Sequence, residues 1–266
     1  MTTRIVIHAG FHKTGTTSVQ SMLRENAALL EPHVRVYLKD AFEGLTESAR
    51  SFSVDPTKKT LVPVARFATA FFNQVALDDP RPILMSSEDL AGHMPGRHGL
   101  ECYDSAGLVM KALSDAAFLR FGKDTDLTFY FSTRTREPWL RSTWWQNLRS
   151  TRLTDDFQTY SSQFEAARNL DDILEEIALD VAPAHVTSFL LEEAKDLPLG
   201  PIDPLLTLLD LTELDRAMLT VLPPENVQPD LGIDAVFLAL NQSALPEKDV
   251  QEAKRIVRKM ARRLDP

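Results

Sequence analysis

Ile5-Val6-Ile7-His8-Ala9-Gly10-Phe11-His12-Lys13-Thr14-Gly15-Thr16-Thr17-Ser18-Val19-Gln20 is the stretch that decides the fold. It opens with a short apolar run rich in β-branched side chains, which reads as a buried strand. Two glycines then allow positive φ and close backbone approach. Val19, Met22, Leu23, Leu29 and Leu30 follow at helical spacing. A strand, a tight polar turn and a helix start together make an anion site, because unpaired N–H groups and the positive end of the helix dipole converge there. Lys13 adds a full charge, and Thr14, Thr16, Thr17 and Ser18 add hydroxyl donors.

The rest of the chain repeats the alternation. After a helix over about 15–30, Val34–Leu38 reads as a second strand, and 41–60 as a polar connection. Val64–Leu77 keeps helical spacing and stops at Asp78-Asp79-Pro80-Arg81-Pro82. Ile83-Leu84-Met85 is a short strand, and 91–104, with three glycines and His93 and His98, is expected to be the most mobile loop. Leu108–Phe121 reads as a helix and Leu127–Thr133 as the most strand-like run. A helix carrying Trp139, Trp144 and Trp145 follows Pro138, and 151–182 looks helical and acidic. His185–Leu191 suits a last strand, Leu205–Leu222 a short helical part, 223–231 a loop and Lys248–Arg263 an amphipathic helix. Short apolar strands alternating with longer helices imply an α/β fold with a mostly parallel sheet. The expectation is one P-loop-like, three-layer α/β domain with a core over about 1–195 and a helical part over about 196–266.

The 266 residues carry a formal net charge of −9, which argues against a general binder of nucleic acid or anionic membrane. An anion site must then be a local concentration of basic groups. Cys102 is the single cysteine, so neither an internal disulfide nor a cysteine zinc cluster is available. No apolar run approaches the ~20 residues needed to span a bilayer. With no charged-then-apolar leader before the first strand, a cytoplasmic location is the default expectation.

The phosphate loop of nucleoside-triphosphate enzymes needs G-x-x-x-x-G-K-[ST]. Gly10 and Gly15 have that separation, but Thr16 follows, and Lys13 comes two residues before Gly15. The order Lys13-Thr14-Gly15-Thr16-Thr17 resembles the 5′-phosphosulfate loop of sulfotransferases that use 3′-phosphoadenosine 5′-phosphosulfate (PAPS), with its pattern Pro/His-Lys-[Ser/Thr]-Gly-Thr-[Thr/Ser]. The resemblance implies that Lys13, Thr14, Gly15, Thr16, Thr17 and Ser18 wrap the 5′-phosphate. It also implies that Lys13 stabilises the bridging oxygen as charge develops there. Family members bind the 3′-phosphate through an arginine at the end of a strand and a serine eight residues on, matched here by Arg134 and Ser142. The run Arg134-Thr135-Arg136-Glu137-Pro138-Trp139-Leu140-Arg141-Ser142-Thr143-Trp144-Trp145-Gln146 is similar to bacterial members, with an aromatic-Leu pair before the serine and a glutamine after it. A register based on Arg136-Glu137-Pro138 is the alternative, but it puts Trp144 where serine belongs.

Transfer to an alcohol or amine needs a base. In the carbohydrate-type members that this chain resembles, a glutamate after such a strand has that role, which nominates Glu88 in Ser86-Ser87-Glu88-Asp89. The bland reading of the same residues is a helix start, with Ser86 or Ser87 as cap and Glu88 and Asp89 on the dipole. A magnesium aspartate is a weaker third reading of Asp89. His12 is the rival base, and His8 inside the strand reads as a hydrogen-bonded structural residue.

The three tryptophans read as mostly core, one of them near the adenine, and the basic helix 248–263 as a solvated face. Asn241-Gln242-Ser243 resembles a late Asn-x-Ser segment of bacterial members. The late Arg-Lys-Gly segment that grips the 3′-phosphate in cytosolic small-molecule sulfotransferases is missing, so another helper is implied, Arg136 or a residue of the C-terminal region. The resemblance implies a sulfotransferase moving a sulfuryl group from PAPS to a saccharide or glycolipid acceptor chosen by loops 39–60 and 91–104. It releases 3′-phosphoadenosine 5′-phosphate (PAP) and involves no metal, no nucleic acid and no integral membrane segment. A phosphotransferase using ATP and magnesium, or a non-catalytic relative binding PAP or a glycan, are the competing classes.

Overall fold

The computed structural model describes residues 2–194, 196–223 and 232–264, without the side chains of Arg262 and Leu264. In chain order it opens with β1 (Arg4–His8), α1 (Thr16–Glu25), α2 (Ala27–Leu30), β2 (Arg35–Leu38), α3 (Glu43–Val54) and α4 (Lys58–Gln74). Next come β3 (Ile83–Ser86), α5 (Ala106–Phe121), β4 (Asp126–Thr133), α6 (Arg136–Ser150) and α7 (Phe157–Ser162). The chain continues through α8 (Leu170–Val181), β5 (His185–Leu190), α9 (Leu191–Ala194), α10 (Asp203–Leu208) and α11 (Glu213–Ala217), then α12 (Ile233–Gln242) and α13 (Glu247–Leu264). Contacts divide it into two compact units, 1–135 with 168–223, and 136–167 with 224–266. Residues 196–218, expected within a helical C-terminal part, thus cluster with the sheet.

The first unit is a three-layer α/β arrangement around a five-stranded, all-parallel sheet in the order β2-β3-β1-β4-β5. Both faces of a parallel sheet are covered, which is why its strands read as nearly continuous apolar runs. Val6, Leu84 and Tyr130 share one cluster with Val19 and Leu23 of α1 and Leu205 and Leu206 of α10. Ile5, Ile7, Ile83, Met85, Phe129 and Phe131 alternate with them and are fully buried, so they supply the opposite face. Burying each such side chain is worth roughly 1.5–3 kcal/mol, so the sheet centre is the most firmly held part of the unit. In register, His8 sits level with Ser86 and Tyr130, which lines up the strand ends.

Several expectations shift. The helix expected over 15–30 breaks at Asn26, whose side chain donates to the Met22 and Thr220 carbonyls and accepts from the Thr220 N–H. The connection expected over 41–60 contains the twelve-residue α3, which buries Leu45, Ala49 and Phe52. α4 begins at Lys58, six residues before the expected start, because Thr57 and Thr60 form a capping box. The 151–182 stretch splits into α7 and α8, each capped by a side chain, Asp156 and Asn169. The loop expected over 223–231 lies outside the described residues from 224 onward. Among the described residues, no helix is long and apolar enough to cross a membrane.

The second unit is helical. Trp139, Trp144 and Trp145 are all buried, and Trp145 stacks on Phe237 with ring centroids 5.3 Å apart. Asn241 spends its amide on the Leu153 carbonyl at 2.7 Å and the Leu148 carbonyl at 3.1 Å, a tie between α12 and the turn after α6. Lys254 does not fit a solvated face: it is buried and donates to the Leu148 and Thr151 carbonyls at 2.8 and 2.7 Å.

Candidate functional site

In an open parallel sheet the crevice lies beyond the carboxyl ends of the strands, where connections leave a central strand to either side. Here that strand is β1, between β3 and β4. Each of the five strands delivers charge just past its end. These are Lys39 after β2, Glu88 and Asp89 after β3, His12 and Lys13 after β1, Arg134 after β4 and Glu192 after β5.

The loop from β1 to α1 is built on three left-handed residues, Gly10 (φ 47°), Lys13 (φ 69°) and Gly15 (φ 95°). A side chain at Gly10 would put its Cβ 2.8 Å from Thr16 Oγ1 and 3.3 Å from His8 Nε2, so the loop closes down on the strand beneath it. Lys13 in this conformation carries strain of the kind that persists where surrounding structure enforces it. Gly15 is the N-cap of α1 and offers no side chain to the first-turn N–H groups, and that turn holds no acidic residue. Its N–H groups and the helix dipole are therefore left for an external anion. Thr17 is exposed and Ser18 half-buried in the same turn. Thr14 and Thr16 are placed differently from the expected donors. Both are buried, and their hydroxyls donate to the Phe11 carbonyl at 2.6 and 3.5 Å, which holds the turn together.

His8 is fully buried directly under the loop. Its Nδ1 meets Ser86 Oγ at 2.9 Å and its Nε2 meets Ser132 Oγ at 3.1 Å. Burial pushes its pKa down to about 4, so the ring is neutral at pH 7 and acts as a structural cross-tie between β3, β1 and β4.

Beyond β3 the bland and functional readings both find residues. Ser87 caps the short turn Glu88–Ala91 by accepting from the Asp89 N–H at 3.3 Å. Glu88 accepts a hydrogen bond from Gln20 Nε2 of α1 at 2.9 Å, which ties the candidate base to the helix that the loop starts. Asp89 is held by Lys39 Nζ at 2.6 Å, His12 Nε2 at 3.4 Å and Arg50 at 3.8 Å. Burial alone would raise its carboxyl, but hydrogen bonds from His12 and Lys39 outweigh that and hold it below the usual carboxylate range. His12 in turn meets the Tyr103 hydroxyl, which accepts from the His12 backbone N–H at 3.0 Å and lies 3.2 Å from Nδ1. On these partners the neutral tautomer carries its proton on Nε2, toward Asp89. To take a proton from an acceptor, His12 must first release one of these partners, whereas Glu88 has, among the described residues, the Gln20 amide to release.

On the other side of β1, Arg134 Nη1 donates to the Lys13 carbonyl at 3.3 Å, and its Nε donates to Glu192 at 3.3 Å. Glu192 also accepts from the Thr135 N–H and hydroxyl. Two residues 121 positions apart in sequence, both expected at one nucleotide site, are thus in contact. Arg136 is committed within the second unit to the Phe164 and Ala167 carbonyls. Ser142 lies half-buried on α6, also in the second unit.

Sequence reasoning did not single out Gln20, Lys39, Arg50, Tyr103 or Glu192. Only Tyr103 carried a signal, as the one aromatic residue in the Gly- and His-rich loop 91–104.

No family model, curated protein or solved structure matches this chain.

The arrangement brings together a glycine-capped helix N-terminus, an arginine in contact with the loop before it, and a carboxylate one strand away.

Proposed function

We propose that this chain is a sulfotransferase that moves a sulfuryl group from PAPS to a hydroxyl or amine acceptor of the saccharide or glycolipid class. The observation that carries the reading is the contact between Arg134 and the Lys13 carbonyl. It brings the residue proposed for the 3′-phosphate onto the loop proposed for the 5′-phosphate.

The donor set suits a nucleotide with phosphates at both positions. The first-turn N–H groups of α1 and Lys13 would hold the 5′-phosphosulfate, and Arg134 would pair bidentately with the 3′-phosphate. Ser142 is proposed for the same phosphate from the sequence pattern alone. Bound PAPS supplies an activated sulfuryl group: the acceptor oxygen or nitrogen forms its bond to sulfur as the bond to the bridging phosphate oxygen breaks, leaving the electron pair on PAP. Lys13 places positive charge where that oxygen becomes negative, and Glu88 takes the acceptor's proton once Gln20 yields its hydrogen bond. His12, held by Asp89 and Tyr103, is second to Glu88 for that task.

The phosphotransferase alternative has less to rest on. The lysine stands before Gly15 instead of after it, and Asp89, its candidate magnesium ligand, is already paired with cations.

A thermal-shift series with PAP, AMP, and ATP plus magnesium tests the proposal, because a ligand that binds only the folded chain raises its stability by mass action. Stabilisation by PAP well beyond that by AMP is expected. Stabilisation by ATP with magnesium and none by PAP would overturn the reading. PAP binding with no transfer to any acceptor would leave a binding relative in its place.

A further inference from the structure

Five side chains able to carry positive charge gather around one carboxylate on the β3 and β2 side of the loop. Lys39 comes from the end of β2, Arg50 from α3, His12 from the loop after β1, and His93 and His98 from the connection after β3. Asp89 is the shared partner of Lys39, His12 and Arg50, and the rings of His93 and His98 lie 4.5 Å apart. Asp89 cannot satisfy Lys39 and Arg50 together, since lysine brings three donors and arginine five. At 3.8 Å the Arg50 contact is an ion pair without a hydrogen bond, and Arg50 Nε is buried with no hydrogen-bond partner among the described residues. Such an orphaned donor costs free energy that an incoming anion would recover.

Lys39 and Arg50 stand apart from the residues proposed for the nucleotide. Those lie on the β1 and β4 side, whereas these surround Asp89, the chain neighbour of Glu88. We propose that Lys39 and Arg50 receive an anionic group on the acceptor, a carboxylate or a sulfate or phosphate ester, and so steer its neighbouring hydroxyl or amine toward Glu88. The word acceptor rests on the sulfuryl-transfer reading; the anion site itself does not. Both side chains are about a third exposed, at 35% and 34%, so they turn to a ligand without opening the core.

The test titrates glucuronate, glucose 6-sulfate and glucose 6-phosphate, each against glucose, into the PAP-loaded chain. At least tenfold tighter binding of one or more anionic sugars over glucose is expected, and which sugar shows it identifies the anion. Arg50→Gln and Lys39→Gln should each reduce that preference while PAP affinity stays within a few-fold of the unaltered chain. Equal binding of glucose and all three anionic sugars, or a preference untouched by both substitutions, would overturn the inference. PAP titrated alone reads the sulfuryl-transfer proposal separately. A chain that ignores PAP but keeps a preference for anionic sugars that depends on Arg50 would refute that proposal and leave the anion site standing.

Discussion

On one side of β1 an arginine is shared between a carboxylate and the backbone of the loop; on the other a carboxylate is shared among a lysine, an arginine and an imidazole. Both contacts of Arg134 are 3.3 Å long, which is weak for a guanidinium, so on the sulfuryl-transfer proposal they give way to a phosphate. Asp89 has a 2.6 Å contact with Lys39 and further cations behind it, so it is committed. The difference separates two adjacent acids. Asp89 is held by basic residues, while Glu88 has an amide as its partner, which is why the proposal gives the proton to Glu88. On the sulfuryl-transfer proposal, one side takes the nucleotide and the other the acceptor.

Substitutions at the rim break the comparison most directly. Lys13→Ala is expected to slow sulfuryl transfer on the order of 10³-fold, and Glu88→Gln on the order of 10²-fold, with PAP affinity largely kept in Glu88→Gln. Transfer rates paired with PAP titrations check this. A Glu88→Gln chain that loses PAP binding as well would merge the two sides into one.

His8 lies beneath both sides, joined to Ser86 of β3 and Ser132 of β4, and its titration sharpens the picture. Its pKa falls from 6.5 to about 4 on folding because burial disfavours the charged ring. The unfolded chain then binds more protons between those values, so stability is full above about pH 6.5 and is lost as pH falls toward 4. The loss attributable to His8 is roughly 3 kcal/mol. Urea unfolding at pH 7 and at pH 4.5 measures it, and His8→Gln should flatten the dependence. Part will remain, because His93 is also pushed down to about 4, first by burial and then by the neighbouring His98 and Arg50. An unchanged slope in His8→Gln would remove His8 as the cross-tie.

Much of the first unit was legible because its signals are local. The β-branched run Ile5–Ile7, the glycines of the loop and the run Leu127–Thr133 each carry their own pattern, and the parallel sheet follows from their alternation with helices. His8 was readable for the same reason, as a lone polar ring inside a buried strand. α3 was not, since Leu45, Ala49 and Phe52 are diluted by Thr46, Ser48, Ser51 and Ser53, residues that favour turns when nothing is packed against them. Missing α3 also hid Arg50, and with it the cluster around Asp89. Glu192 escaped because nothing local marks a carboxylate that matters through Arg134, 58 positions earlier. The contact between Arg134 and Lys13 depends on β4 lying beside β1, which only the assembled sheet provides.

The central claim is that Arg134 and the loop form one nucleotide site, and calorimetric titration of PAP and AMP into the unaltered chain and Arg134→Gln tests it most directly. The expected result is that PAP binds the unaltered chain more tightly than AMP does. Arg134→Gln should weaken PAP by about tenfold or more, the worth of a charge-assisted phosphate contact, and leave AMP nearly unchanged. PAP binding no tighter than AMP, or equally tight to both chains, would contradict the account.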